Sequence, residues 1–216
     1  MQTPMHCWTG WAARNDRIFD HTGKSFPMNG FHRRYCAGEK WNTLMREQLL
    51  PDALDGVELG DNVLELGPGP GLTTQALAPM TKHLTAIEID PELTGIAAER
   101  TNRQGNVDVI QGDATDLPFG DAQFSSVVCM TMLHHLPDAE AQNRLFAEAC
   151  RVLRPGGVLC GSDNLGKGLR FRLIHLGDTR TVVNPDTLPA RLRAAGFARA
   201  DVRAGSRMVF HGYAPA

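Results

Sequence analysis

The sequence predicts an α/β fold: a mostly parallel sheet with helices on both faces, preceded by a helical N-terminal segment. Three observations predict it. From about residue 62, short apolar runs alternate with helix-length stretches, the pattern of parallel strands joined by crossover helices. The first run ends in Gly67-Pro68-Gly69-Pro70-Gly71, a turn almost stripped of side chains. Phe124–Met130 is apolar or small throughout, as a central strand buried on both faces requires.

Residues 1–56 hold Trp8, Trp11 and Trp41 and no strand pattern. Between Lys40 and Leu50, Trp41, Leu44, Met45 and Leu49 recur at helical spacing. This segment is expected to be a cap of one or two helices that closes as a lid over a site, leaving 57–216 as the main domain. Strand one is Asn62–Leu66, followed by a helix from Leu72 to Ala78. Strand two is His83–Ile89. Asp90 suits an N-cap, Pro91 the first helical position and Glu92 the first turn of a helix reaching Thr101. Strand three is Val107–Gln111 and strand four Phe124–Met130. The helix Asp138–Leu153 carries an apolar stripe of Leu145, Phe146, Ala149, Val152 and Leu153. Pro155-Gly156-Gly157 reads as the turn into strand five, Val158–Ser162. Residues 164–184 are irregular and basic. A helix from Asp186 or Thr187 to Ala195 is closed by Gly196, and strands Ala198–Arg203 and Met208–Tyr213 end the chain.

Length and composition narrow the function classes. The 216 residues suffice for one real core. Lys plus Arg is 22 against 24 Asp plus Glu, a balance that argues against a protein living on phosphate backbones. The five cysteines are odd in number and form no Cys-x-x-Cys pair, so no disulfide framework is expected. Cys129, Cys150 and Cys160 lie in apolar runs and are expected to be buried. Neither His6 with Cys7 nor His32 with Cys36 makes a metal-binding pattern, and no metal is expected. No apolar run reaches the roughly 20 residues of a membrane span, and the start lacks a signal-peptide pattern. A cytoplasmic protein is expected.

The glycine turn opens at the carboxyl edge of the sheet, where a ligand can approach backbone that has no Cβ. Its spacing departs from the Gly-x-Gly-x-x-Gly of dinucleotide sites, and Gly71-Leu72-Thr73 lacks the lysine of a phosphate-cradling loop. A nucleoside cofactor with an uncharged tail remains, or a tight strand–helix turn that binds no ligand. Glu88, at the end of strand two, reads equally as a ribose-hydroxyl acceptor and as an exposed strand-end acid. Asp113 reads equally as a base-amino acceptor and as a turn cap.

Taken together these segments resemble class I S-adenosylmethionine-dependent methyltransferases. Val63 to Gly71 looks like the first motif of that family, Ala86-Ile87-Glu88-Ile89-Asp90 the second and Gly112-Asp113-Ala114 the adenine-contact motif, followed by Leu117-Pro118-Phe119. Ser125–Val128 with Leu133-His134-His135-Leu136 resembles the fourth-strand segment. Arg151–Gly157 and Leu192–Phe197 resemble the later ones, and the likeness covers about residues 60–214. It implies a three-layer Rossmann-like fold with seven strands in the order 3-2-1-4-5-7-6, strand seven antiparallel. The cofactor would be S-adenosylmethionine, with S-adenosylhomocysteine as product. Glu65 and the backbone of Gly67, Pro68, Gly69 and Gly71 would hold the methionine end. Glu88 would take the ribose, Ile89 would lie beneath the adenine, Asp113 and Ala114 would surround it, and Met130 would flank the methionine moiety. Glu88→Ala is expected to weaken cofactor binding far more than folding.

Ribosomal-RNA adenine dimethylases share the stretch Leu64–Asp90 but carry an Asn-[Leu/Ile]-Pro-[Phe/Tyr] motif after strand four, where this chain has Met130-Thr131-Met132-Leu133-His134-His135. The Leu-His-His-Leu form instead resembles the small-molecule branch typified by ubiquinone and menaquinone biosynthesis. The expected partner is a small-molecule acceptor rather than nucleic acid, and the expected state is monomer or homodimer. His134 and His135 are candidate general bases, since an unperturbed imidazole titrates near working pH; packing roles are the alternative. His32, Tyr35, Arg170 and His175 are candidate acceptor contacts. An RNA or protein methyltransferase, and a cofactor-binding protein without methyl transfer, remain as other readings.

Overall fold

A computed structural model describes residues 29–167, 171, 173, 175–178 and 180–216. Trp8, Trp11 and Arg170 lie outside the described residues. Seven strands, β1 (Asn62–Leu66), β2 (His83–Glu88), β3 (Val107–Gln111), β4 (Phe124–Met130), β5 (Leu153–Asp163), β6 (Arg199–Ala204) and β7 (Met208–Tyr213), form one sheet in the order β3-β2-β1-β4-β5-β7-β6. β7 runs antiparallel to β5 and β6, and the other pairs are parallel. The chain winds outward in both directions from β1 and β4, so a crevice opens between their carboxyl ends.

Strand alternation builds two cores. Leu64, Leu66, Val127 and Cys129 face one side, against Leu145, Phe146 and Ala149 of α6 (Ala139–Val152) and Leu188 and Leu192 of a later helix, Leu188–Ala194. Val63, Val128 and Met130 face the other side, against Leu77 of α4 (Leu72–Leu77) and the N-terminal helices. These are α1 (Gly30–Cys36), α2 (Glu39–Leu44) and α3 (Leu50–Ala53), with a π turn at Met45–Leu49 joining α2 to α3. The expected helix over 40–50 is therefore longer and widened at its centre. Met45, Leu49, Leu50 and Ala53 are all buried in the second core, so this part of the N-terminal segment is a layer of the fold. α5 (Pro91–Thr101) begins as its sequence predicts: the Asp90 carboxylate accepts from the N–H groups of Glu92 and Leu93 at 2.9 and 3.2 Å. Asp138 caps α6 in the same way, through Ala141 N at 2.7 Å.

Two details differ from expectation. β5 starts at Leu153, which pairs with Phe124, while Ser126 pairs with Val158. Residues 154–157 therefore bulge out within the strand, because Pro155 has no N–H to give the ladder and Gly156 turns at φ +71°. Cys150 is half-buried, whereas Cys129 and Cys160 are fully enclosed. No helix among the described residues is long and apolar enough to cross a membrane.

Candidate active site

A cavity of about 760 Å³ occupies the crevice at the carboxyl ends of β1, β2, β3 and β4. Gly67, Pro68, Gly69, Glu88, Ile89, Asp113, Ala114 and Met130 line it, as do His32, Tyr35, His134, His135 and His175. Glu65 and Gly71 do not. Gly71 is the left-handed N-cap of α4, at φ +81°, and a Cβ there would lie 2.9 Å from the backbone Cα of Ala97 on α5. Its smoothness serves helix packing. Gly69, at φ +56°, has open space where a Cβ would project.

Glu88 holds the turn in shape. One carboxylate oxygen accepts from Gly69 N and the other from Asp90 N, each at 3.0 Å. Burial raises its pKa despite those bonds. Asp113 accepts from Thr115 N at 2.8 Å and from the Thr115 hydroxyl at 2.9 Å, and burial raises its pKa too. Both acids hold local backbone and line the cavity; Glu88 is buried rather than an exposed strand-end acid, and for Asp113 the cap and ligand readings are compatible. Glu65 lies beneath the turn, fully buried, with Oε2 unpartnered. Burial pushes its pKa up to about 8, with the nearby Glu88 charge adding to the rise.

Beyond β4 the chain turns sharply at Thr131, a β-branched residue at φ +53° whose N–H reaches Ser162 O at 2.7 Å. A 3-10 turn, Leu133–His135, follows. Gln142 of α6 ties it down by donating to the carbonyls of Leu133 and Thr181 at 3.0 and 2.7 Å. The turn folds His134 over Asp163 at the end of β5, where the carboxylate meets His134 N at 3.2 Å and His134 Nδ1 at 2.5 Å. Burial alone would push the Asp163 carboxyl up, but the His134 ring and the Asn164 N–H outweigh it and hold the acid below its usual range. His134 Nε2 faces His175 Nε2 at 3.0 Å, and His175 Nδ1 donates to Phe171 O at 2.8 Å.

His32 completes the group. Its Nδ1 lies 2.8 Å from Asp178 Oδ2, and Asp178 also accepts from Asn29 N, pinning the start of α1. The His32 ring lies 4.2 Å from that of His175 and 5.1 Å from that of His135, between centroids. Burial lowers the pKa of all three rings, that of His175 to about 4. Arg207 also lines the cavity, with a buried Nε that has no partner. Asp163, Asp178 and Arg207 were not singled out by the sequence. Only Asp163 left a signal, as an acid closing an apolar strand at the same sheet edge as Gly67 and Thr131. His32, His135 and His175 converge although they lie far apart in the sequence, so no local spacing pattern could have grouped them.

Comparison with known proteins agrees with this geometry. Residues 64–161 match the family model described as a methyltransferase domain. An erythromycin 3''-O-methyltransferase of Saccharopolyspora erythraea is 32% identical over 196 residues, covering 81% of this chain and 62% of that protein. A ubiquinone biosynthesis O-methyltransferase of Xylella fastidiosa is 35% identical over 159 residues, covering 66% of this chain and 63% of that one. The chain thus spans about three fifths of the length of these two relatives. The solved structure of the N-methyltransferase NodS of Bradyrhizobium japonicum, in complex with S-adenosylhomocysteine, shares the fold at a TM-score of 0.65 and 21% identity, covering 84% of this chain and 91% of that one. Motif order, strand order and sequence similarity agree: residues 64–161 are a methyltransferase domain on a class I, Rossmann-like methyltransferase fold, similar in sequence to the ubiquinone- and menaquinone-biosynthesis methyltransferases.

Proposed function

We propose that this chain binds S-adenosylmethionine in the Gly67–Gly71 crevice and methylates a small-molecule acceptor. One observation carries the reading: a single cavity holds both the bare turn flanked by Glu88 and Asp113 and a histidine backed by a buried carboxylate. The residues suit the cofactor. Each Glu88 oxygen accepts one backbone N–H and keeps a lone pair for a ribose hydroxyl. Asp113, Ala114 and Ile89 line the wall where an adenine would lie, and Met130 the β4 edge. Glu65 and Gly71 support the turn from behind. When bound, the sulfonium supplies a methyl group that is already electrophilic.

The chain's own part is to orient the acceptor, exclude water and take up a proton. Orientation can supply on the order of 7–11 kcal/mol, and a placed base roughly 10²–10⁴-fold more. His134 suits the base better than His135, because Asp163 fixes its ring through Nδ1 and its Nε2, 3.0 Å from His175 Nε2, could take up a proton and share it with that ring. His32, Tyr35 and His175 would contact the acceptor. Among the described residues the lid role narrows to α1, since Met45 onward is core. A cytoplasmic location and a monomeric or homodimeric state belong to the same reading.

The test is calorimetric titration with S-adenosylhomocysteine, followed by S-adenosylhomocysteine release from S-adenosylmethionine over a panel of phenols, alcohols and amines. We expect saturable binding and release that depends on one acceptor class and falls about 10²–10⁴-fold in His134→Asn. Absence of heat with either form of the cofactor overturns the reading. Binding without release from any acceptor, RNA and protein included, would favour a non-catalytic cofactor-binding protein.

A further inference from the structure

We propose that His32, His135 and His175 form a binding site for one divalent transition-metal ion of the zinc class, with open coordination positions facing the cavity for an oxygen atom of the acceptor. The three rings come from separate segments, α1, the turn after β4 and the stretch following β5, and one nitrogen from each lies within 4.8 Å of the others. Zinc–nitrogen bonds of about 2.0–2.1 Å in a tetrahedron bring such atoms to about 3.3 Å. Metal binding would draw nitrogens that now stand up to 4.8 Å apart toward that spacing.

The surrounding hydrogen bonds prepare the rings for this task. His32 Nδ1 is committed to Asp178 and His175 Nδ1 to the Phe171 carbonyl, so both protons sit on Nδ1 and both Nε2 atoms present lone pairs. A carboxylate or carbonyl behind each ring is the usual support of a metal-bound histidine. His134 Nδ1 is likewise held by Asp163, so two Nε2 lone pairs face each other at 3.0 Å. The three donors that converge are all imidazole nitrogens. Imidazoles favour zinc and its neighbours over calcium or magnesium. Three protein ligands with an open fourth position are the pattern of a site that binds substrate.

The role in acceptor binding rests on the methyl-transfer reading; the metal site itself does not. The experiment therefore measures metal alone. The full chain, stripped with a chelator and dialysed, is titrated with zinc chloride by calorimetry and with cobalt(II) by visible absorption. S-adenosylhomocysteine binding is measured separately on the same preparation. We expect one zinc per chain and the intense cobalt spectrum of a four-coordinate site. Asp178→Asn should weaken zinc binding about 10–100-fold, and His32→Ala and His175→Ala by at least as much. The exposed His83→Ala should bind as the parent does, and thermal unfolding checks that each variant folds. The proposal falls if the parent chain shows no saturable zinc binding, or if Asp178→Asn, His32→Ala and His175→Ala all retain parental affinity. Zinc binding without S-adenosylhomocysteine binding would keep the metal site and remove the methyl-transfer reading. The converse would remove the metal site alone.

Discussion

Glu88→Ala tests whether the cofactor turn depends on its own acid. In the folded chain the two Glu88 oxygens accept from Gly69 N and Asp90 N, both at 3.0 Å and buried. Truncation strands two N–H groups, and an unsatisfied buried donor costs about 1–3 kcal/mol. Part of this is offset, because burial already disfavours the charged carboxylate and raises its pKa. A net loss of about 2–3 kcal/mol follows. In a chain of this size each kcal/mol shifts Tm by roughly 2–4 °C, so a fall of about 4–12 °C is expected. Glu88→Gln should recover little of it, since its amide nitrogen would face one of the same N–H donors. The assay is scanning calorimetry without ligand, then titration of the folded variants with S-adenosylhomocysteine. A Tm within roughly 2 °C of the parent would refute the argument that this carboxylate satisfies the turn. The same two measurements test the expectation that Glu88→Ala weakens cofactor binding far more than folding.

Two other expectations follow from neighbouring residues. Glu65 keeps its proton in the folded state up to about pH 8, while unfolded it loses it near 4.3. The folded state therefore binds the extra proton between those values, and stability falls by up to about 1.4 kcal/mol per pH unit as pH rises through that window. Urea denaturation should show the slope flattened in Glu65→Gln, and equal slopes in both proteins would contradict the buried-acid assignment. Gly71→Ala should destabilise by about 2–5 kcal/mol, from left-handed strain plus collision with the Ala97 backbone. Gly69→Ala carries only the strain, about 1–2 kcal/mol, and should instead weaken S-adenosylhomocysteine binding by filling open space; equal stability losses in the two variants would contradict this division.

The strands were legible because buried strands announce themselves. β1, β3, β4 and β7 begin and end where their apolar runs do, and their order followed from the family resemblance. The excursion at 154–157 was not legible, since Pro155-Gly156-Gly157 reads as a turn whether it precedes a strand or interrupts one. The sequence posed ligand against exposed acid at Glu88 and ligand against cap at Asp113 as rivals. A carboxylate has enough lone pairs to serve backbone and ligand together, which no local pattern reveals. The histidine cluster was least legible of all. It joins residues 32, 134, 135, 163, 175 and 178, whose proximity depends on where α1 docks and on the register of β4 against β5.

That register explains why the cluster stands where it does. Met130 pairs with Ser162, so Thr131 and Asp163 leave the sheet side by side at the crevice. An extended residue at 131 would carry the chain on past Asp163. The left-handed turn there costs on the order of 1–3 kcal/mol for a residue that is not glycine. It brings both the backbone N–H and the ring of His134 onto a single carboxylate, and sets His135 beside His32. The strain and the polar cluster are thus two consequences of one turn, placed where the order of strands reverses and a ligand has room to enter.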